Sequence, residues 1–139
     1  MGVEMEVVYE GNLKCRATHG PSGNVIQTEA PVDNGGTGGA FSPTDLVGAA
    51  LASCVMTVMG IVAQRQGIDL RGMKAHAVKE MASAPVRRIG ALTVVVTLPP
   101  RLTLSDEDRK RLEHAAEICP VKKSLHPDVR VKIDFVYPG

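Results

Sequence analysis

Residues 42–65 read Ser42-Pro-Thr-Asp-Leu-Val-Gly-Ala-Ala-Leu-Ala-Ser-Cys54-Val-Met-Thr-Val-Met-Gly-Ile-Val-Ala-Gln-Arg65, and this stretch decides the fold. Ser42 is a good N-cap, Pro43 fits the first helical position, and Asp45 completes a Ser-x-x-Asp capping box. Gly67 suits the position just past the end, with Arg65 in the last turn. A helix is therefore predicted over residues 43–66. Its residues 46–63 carry no charge, close to the lower length for a membrane span. Ala, Gly and Ser dominate it, no aromatic belt flanks it, and the rest of the chain is patterned for strands, so no membrane is expected. A helix apolar all round can instead be buried in protein. A chain of 139 residues hardly covers every face of such a helix, which predicts a second subunit as its partner.

Strands are predicted on either side. Residues 5–9, 13–18 and 24–29 form three, the last entered through the turn Gly20-Pro-Ser-Gly23. The loop over 31–39 contains Asn34-Gly-Gly-Thr-Gly-Gly39 but lacks the Gly-Lys-Ser/Thr ending of a phosphate cradle, so it reads as a flexible connection. Beyond the helix, residues 73–81 alternate, and residues 89–98 hold Leu92-Thr-Val-Val-Val-Thr before Pro99-Pro100 stops them. Ser105-Asp-Glu-Asp108 opens a second helix, with Leu112, Ala115, Ala116 and Cys119 on one face. Pro120 ends it and starts a short helix to about Leu125. His126-Pro-Asp is a turn, and residues 129–137 are a last strand. No repeat or second domain is evident, so residues 1–139 are expected to form a single domain of α+β class.

Composition excludes several functions. The net charge of +1 and scattered basic residues give no nucleic-acid footprint. Lys122-Lys123 reads as solvated surface. The short acidic start lacks the pattern of a signal peptide, and three cysteines do not make a disulfide scaffold; a cytoplasmic setting is expected. His19, His76, His114 and His126 form no CxxC, HxxxH or HExxH, so no metal is expected.

Two thiols carry the chemistry. Cys54 lies among Val47, Ala50, Leu51, Val58 and Ile61, where a small core cysteine would be inert unless another segment brought a cation or donor. Cys119 precedes a proline, so the helix should break there and leave Cys119 as N-cap of the next turn. A thiol near helix amides gains a lower pKa, although Cys119 could equally just end the apolar stripe begun at Leu112. Cys15, beside Arg16, reads as an ordinary strand cysteine.

At Ser42-Pro-Thr-Asp-Leu-Val-Gly-Ala-Ala-Leu-Ala-Ser-Cys54 and Glu117-Ile-Cys119-Pro-Val-Lys-Lys-Ser-Leu125 the chain resembles the OsmC/Ohr superfamily of thiol-dependent hydroperoxide reductases, in its broader OsmC-like branch. The resemblance implies an OsmC-like fold: two long central helices, one per subunit, wrapped by antiparallel sheets in an intertwined homodimer. It implies that Cys54 attacks an organic hydroperoxide and becomes a sulfenic acid, that Cys119 resolves it to a disulfide, and that an external dithiol restores the pair without a cofactor. The family's enzymes carry a glutamate after the Asn/Ser-Pro pair that orients an arginine on the thiolate. Here that position is Thr44, with Asp45 next to it as a weaker carboxylate or a plain cap. Thr44 lies roughly 15 Å from Cys54 along an ideal helix. Arg16 is the first choice for the arginine, with Arg87 or Arg88 behind it. A dimer of the same fold that binds a small hydrophobic ligand or electrophile without turnover is the alternative, and a structural dimer with merely packed cysteines a third reading.

Overall fold

A computed structural model describes residues 1–139. It divides into two compact units, residues 1–47 and 48–139, with the long helix α1 (Pro43–Arg65) running from one into the other.

The first unit is built on a three-stranded antiparallel sheet of β1 (Met5–Gly11), β2 (Lys14–His19) and β3 (Val25–Glu29) in sequence order. Tyr9 faces Cys15, Cys15 faces Thr28, and Ala17 lies between Val7 and Ile26. One face of the sheet therefore carries Met5, Val7, Tyr9 and Ile26, all exposed. The other carries Glu10, Arg16 and Gln27. There the Arg16 Nε meets Glu10 at 3.2 Å, and Gln27 Nε2 donates to Glu10 at 3.1 Å.

The glycine-rich loop is not the flexible connection its composition suggests. Glu29, only 3% exposed, accepts from the Thr37 amide at 2.5 Å and from the Thr37 hydroxyl at 2.6 Å. A short 3-10 turn over Val32–Asn34 and the Gly36 amide on the Pro31 carbonyl at 2.9 Å complete the fold-back. Gly36 is required by space: a Cβ there would lie 1.5 Å from the Ala30 carbonyl oxygen. A buried carboxylate in need of donors has folded the glycines around itself.

Helix α1 starts and stops where its caps direct. The Asp45 amide donates to Ser42 Oγ at 3.0 Å and the Ser42 amide to Asp45 Oδ2 at 2.9 Å, a reciprocal capping box. At the far end Ile68 donates to the Ala63 carbonyl and Gly67, at φ 69°, to that of Gln64. This is a Schellman motif.

The second unit holds β4 (Lys74–Ala82), β5 (Arg88–Thr97), α2 (Asp106–Glu117), α3 (Pro120–Ser124) and β6 (Arg130–Val136). Strand β5 lies between the other two, antiparallel to β4 and parallel to β6. This sheet is thus mixed, where antiparallel pairing was expected throughout. The long connection through α2 and α3 lets β6 enter from the same end as β5. Leu92, Val94 and Val96 alternate along β5, and all are buried together with Ile133 of β6, Leu112, Ala115 and Ala116 of α2, and Leu51, Val55, Met59 and Ala63 of α1. These α1 residues recur at helical spacing and form its core stripe. Ala50, Ser53, Thr57, Ile61 and Gln64 form a second, uncharged stripe that is exposed.

Candidate functional site

Two elements of the second unit bring Cys54 and Cys119 together. Cys54 stands in the middle of α1, between its buried and exposed stripes, and is half-buried. Cys119 stands at the corner between α2 and α3 and is fully buried. The corner forms as the Cys-Pro pair dictates. Cys119 takes an extended backbone, φ −60° and ψ 144°, Pro120 opens α3, and the Cys119 sulfur accepts from the Lys122 amide at 3.4 Å. The N-cap expected from the proline is therefore present. Both cysteines are free thiols, and Cys54 is near enough to Cys119 to act on its thiol.

The electrostatics of Cys119 differ from the expectation. Burial pushes its thiol above the ordinary thiol value. The Lys122 amide pulls the other way, as does that of Val121, but the hydrogen bond with Cys54 and the Cys54 charge add to the rise. The amide effect read from the sequence exists and is outweighed by desolvation. Cys119 consequently keeps its proton at neutral pH and can offer it to the Cys54 sulfur.

Lys122 also departs from its reading as solvated surface. Its ammonium pairs with Glu117, the last residue of α2, and its side chain is 24% exposed. Nothing in the spacing of Glu117 and Lys122 announces this contact, which exists only because Pro120 turns the chain between them.

The remaining candidates have these places. Arg16 lies on β2, 56% exposed and paired with Glu10, and lines a groove with Glu6, Val8 and Thr18. Asp45 closes the capping box, and the Thr44 hydroxyl lies 3.2 Å from that of Ser42. The Arg88 guanidinium donates to the Ile89 carbonyl at 3.1 Å. Cys15 is half-buried opposite Tyr9. No cluster of three or more His, Cys, Asp or Glu side chains is placed to hold a metal ion.

The OsmC-like protein family matches residues 36–134. Among solved structures, a protein of Psychrobacter arcticus provisionally described as an osmotic stress induced and detoxification response protein is 43% identical over 94% of this chain and 93% of its own, with a TM-score of 0.88. The fold is also that of the Legionella pneumophila organic hydroperoxide resistance protein OsmC, at 20% identity, 98% and 97% coverage and a TM-score of 0.73. The organic hydroperoxide resistance protein OhrB of Bacillus subtilis gives 23% identity, 97% and 98% coverage and a TM-score of 0.67. No curated protein sequence matches the chain.

Proposed function

Since the chain belongs to the OsmC-like protein family, we propose that it reduces organic hydroperoxides through Cys54 and Cys119. The observation that carries this reading is the proximity of two free thiols, Cys54 half-buried and Cys119 fully buried and acted on by the Cys54 charge. Their difference in burial supports the division of roles. Cys119, held protonated by burial, donates to Cys54, and Cys54 is the nucleophile.

In the first step the Cys54 thiolate attacks the terminal oxygen of the hydroperoxide. The S–O bond forms, the O–O bond breaks, and the alkoxide leaves as the alcohol on taking up a proton. Cys54 is then a sulfenic acid. In the second step the Cys119 thiolate attacks the Cys54 sulfur, the S–O bond breaks, and hydroxide leaves as water with the proton that Cys119 gave up. An external dithiol reduces the disulfide by exchange. The apolar neighbours of Cys54 on α1 favour a hydrophobic peroxide over a small, well-hydrated one. Arg16 is proposed as the thiolate-stabilising arginine. Glu10 engages its Nε on a partly exposed strand. No metal, flavin or haem takes part in this scheme.

The active species is proposed to be a homodimer in a reducing, cytoplasmic compartment. Support comes from α1, whose uncharged residues 46–63 are only in part buried within the chain and leave Ala50, Ser53, Thr57 and Ile61 exposed. Water is a poor cover for the rest, and a second copy is a good one.

The reading is tested by adding one equivalent of cumene hydroperoxide to the reduced protein and mapping disulfides by mass spectrometry. Rapid formation of a Cys54–Cys119 disulfide, lost in Cys54→Ser, is expected. Slow oxidation without that linkage would overturn the peroxidase and favour the ligand-binding dimer, which the threonine at position 44 already motivates.

A further inference from the structure

We propose that Glu117 and Lys122 are a positioning pair for Cys119: their ion pair closes the corner between α2 and α3 and keeps the Lys122 amide on the Cys119 sulfur, so that this thiol can resolve an oxidised Cys54. The inference rests on the peroxidase reading and adds two residues to it.

The corner needs such a closure. Helix α3 spans five residues, far too few to hold itself by its own hydrogen bonds. Pro120 has no N–H to give. The amides able to act on the sulfur are those of Val121 and Lys122, and both do so. Lys122 is therefore engaged twice. Its backbone donates to Cys119 Sγ at 3.4 Å, and its side chain reaches back across the corner to the Glu117 carboxylate. Glu117 ends a helix that is anchored independently, because Leu112, Ala115 and Ala116 of α2 are buried. The ion pair thus transmits the position of α2 to the first turn of α3. The titratable group that acts on Cys119 from the packed helix α1 is Cys54, and from α3 come the two amides.

The resolving step gives this placement a chemical consequence. Cys119 must lose its proton to attack, and burial opposes that loss. A corner that drifts open withdraws an amide from the developing thiolate while leaving the burial. The first step, at Cys54, uses Cys119 in its protonated form and so makes no demand on the amide that the corner supplies.

The test follows both steps separately in Glu117→Gln, Lys122→Met and the conservative Lys122→Arg. Reduced protein receives one equivalent of cumene hydroperoxide across a pH series. Dimedone trapping reports the Cys54 sulfenic acid, and mass spectrometry reports the disulfide. In Glu117→Gln and Lys122→Met the sulfenic acid should form at the wild-type rate and persist. Disulfide formation should slow about tenfold at neutral pH, the effect of roughly one unit on the attacking thiol. The pH midpoint of that step should move up in both, and Lys122→Arg should restore it. Unchanged disulfide formation would overturn the proposal, as would slowing at every pH with no movement of the midpoint. Midpoints that move in opposite directions would also overturn it, because net charge and not placement would then govern.

A second measurement separates this proposal from the peroxidase itself. In a Cys15→Ala, Cys54→Ser background, ultraviolet thiolate absorbance titrates Cys119 directly. Loss of the pair should raise that titration even if the wild type proves inert to peroxide. No change would overturn the pair whatever the peroxide does.

Discussion

Glu29 is the residue whose environment has the clearest consequence in solution. Two hydrogen bonds from Thr37 hold its carboxyl below the usual carboxylate range, and the charge of Lys14 helps, against the opposing effect of burial. The unfolded chain therefore binds more protons than the native one as pH falls through that range. The stabilisation is complete above the ordinary glutamate value and is lost as pH drops through the lowered one. Glu29→Gln should flatten this part of the acid limb in a stability-against-pH series and speed hydrogen exchange at the Thr37 amide. An acid limb and exchange rate identical to wild type would show that the loop does not depend on the carboxylate. The sequence displays the glycines of this loop but not its organiser. Glu29 reads as the last residue of a strand, and only the folded loop brings Thr37 to it. The thiols are the opposite case: Cys54 and Cys119 stand out by their local motifs, and Pro120 next to Cys119 states its own backbone geometry. What the motifs omit is magnitude. They show the amides near Cys119 and not the depth of its burial, which decides the sign of its shift.

Among the elements, helices are legible and strand partners less so. The ends of α1 are written in Ser42, Pro43, Asp45 and Gly67, and the helix observed stops one residue short of the predicted end. Ser42→Ala should cost about 1 kcal/mol in thermal or denaturant unfolding, the ordinary value of a lost N-cap. A loss near zero would mean that the turn is held from elsewhere. The direction of β6 could not be read, because a strand has the same alternation whether it runs parallel or antiparallel to its neighbour. A further link to α2 is equally silent in the sequence. The Tyr137 hydroxyl donates to Glu113 at 2.5 Å, and Arg109 lies 4.3 Å over its ring. Burial and the Glu113 carboxylate push the phenol far above its normal value, so it remains a donor at every physiological pH. Tyr137→Phe keeps the ring under Arg109 and removes the bond. It should cost roughly 1.5–3 kcal/mol, as for other hydrogen bonds to a charged acceptor. An unfolding curve superimposable on wild type would refute this.

For the whole molecule, the proposed dimer makes the exposed stripe of α1 the decisive surface. Thr57 lies in its middle, exposed within one chain and on a face without charge. Wild-type protein should sediment as a dimer, and Thr57→Arg should shift it toward monomer by burying an unpaired cation at the contact. A monomeric wild type, or a dimer indifferent to the arginine, would remove this surface from the assembly. Hydrophobic pattern made the unsatisfied helix legible, whereas the exposed apolar face of β1–β3 was not, because short strands of mixed composition do not declare which side water sees. The parallel pairing of β6 with β5 has a consequence of another kind, in the order of events. The β4–β5 hairpin can close as soon as its own strands are present, but β6 must wait for α2 and α3 to bridge the gap, a long-range closure that is slow by nature. Until that strand arrives α2 lacks its Tyr137–Glu113 bond and the cover of Ile133, and the corner that carries Cys119 rests on α1 and β5 alone. A chain halted midway therefore carries both cysteines on a core that is still incomplete.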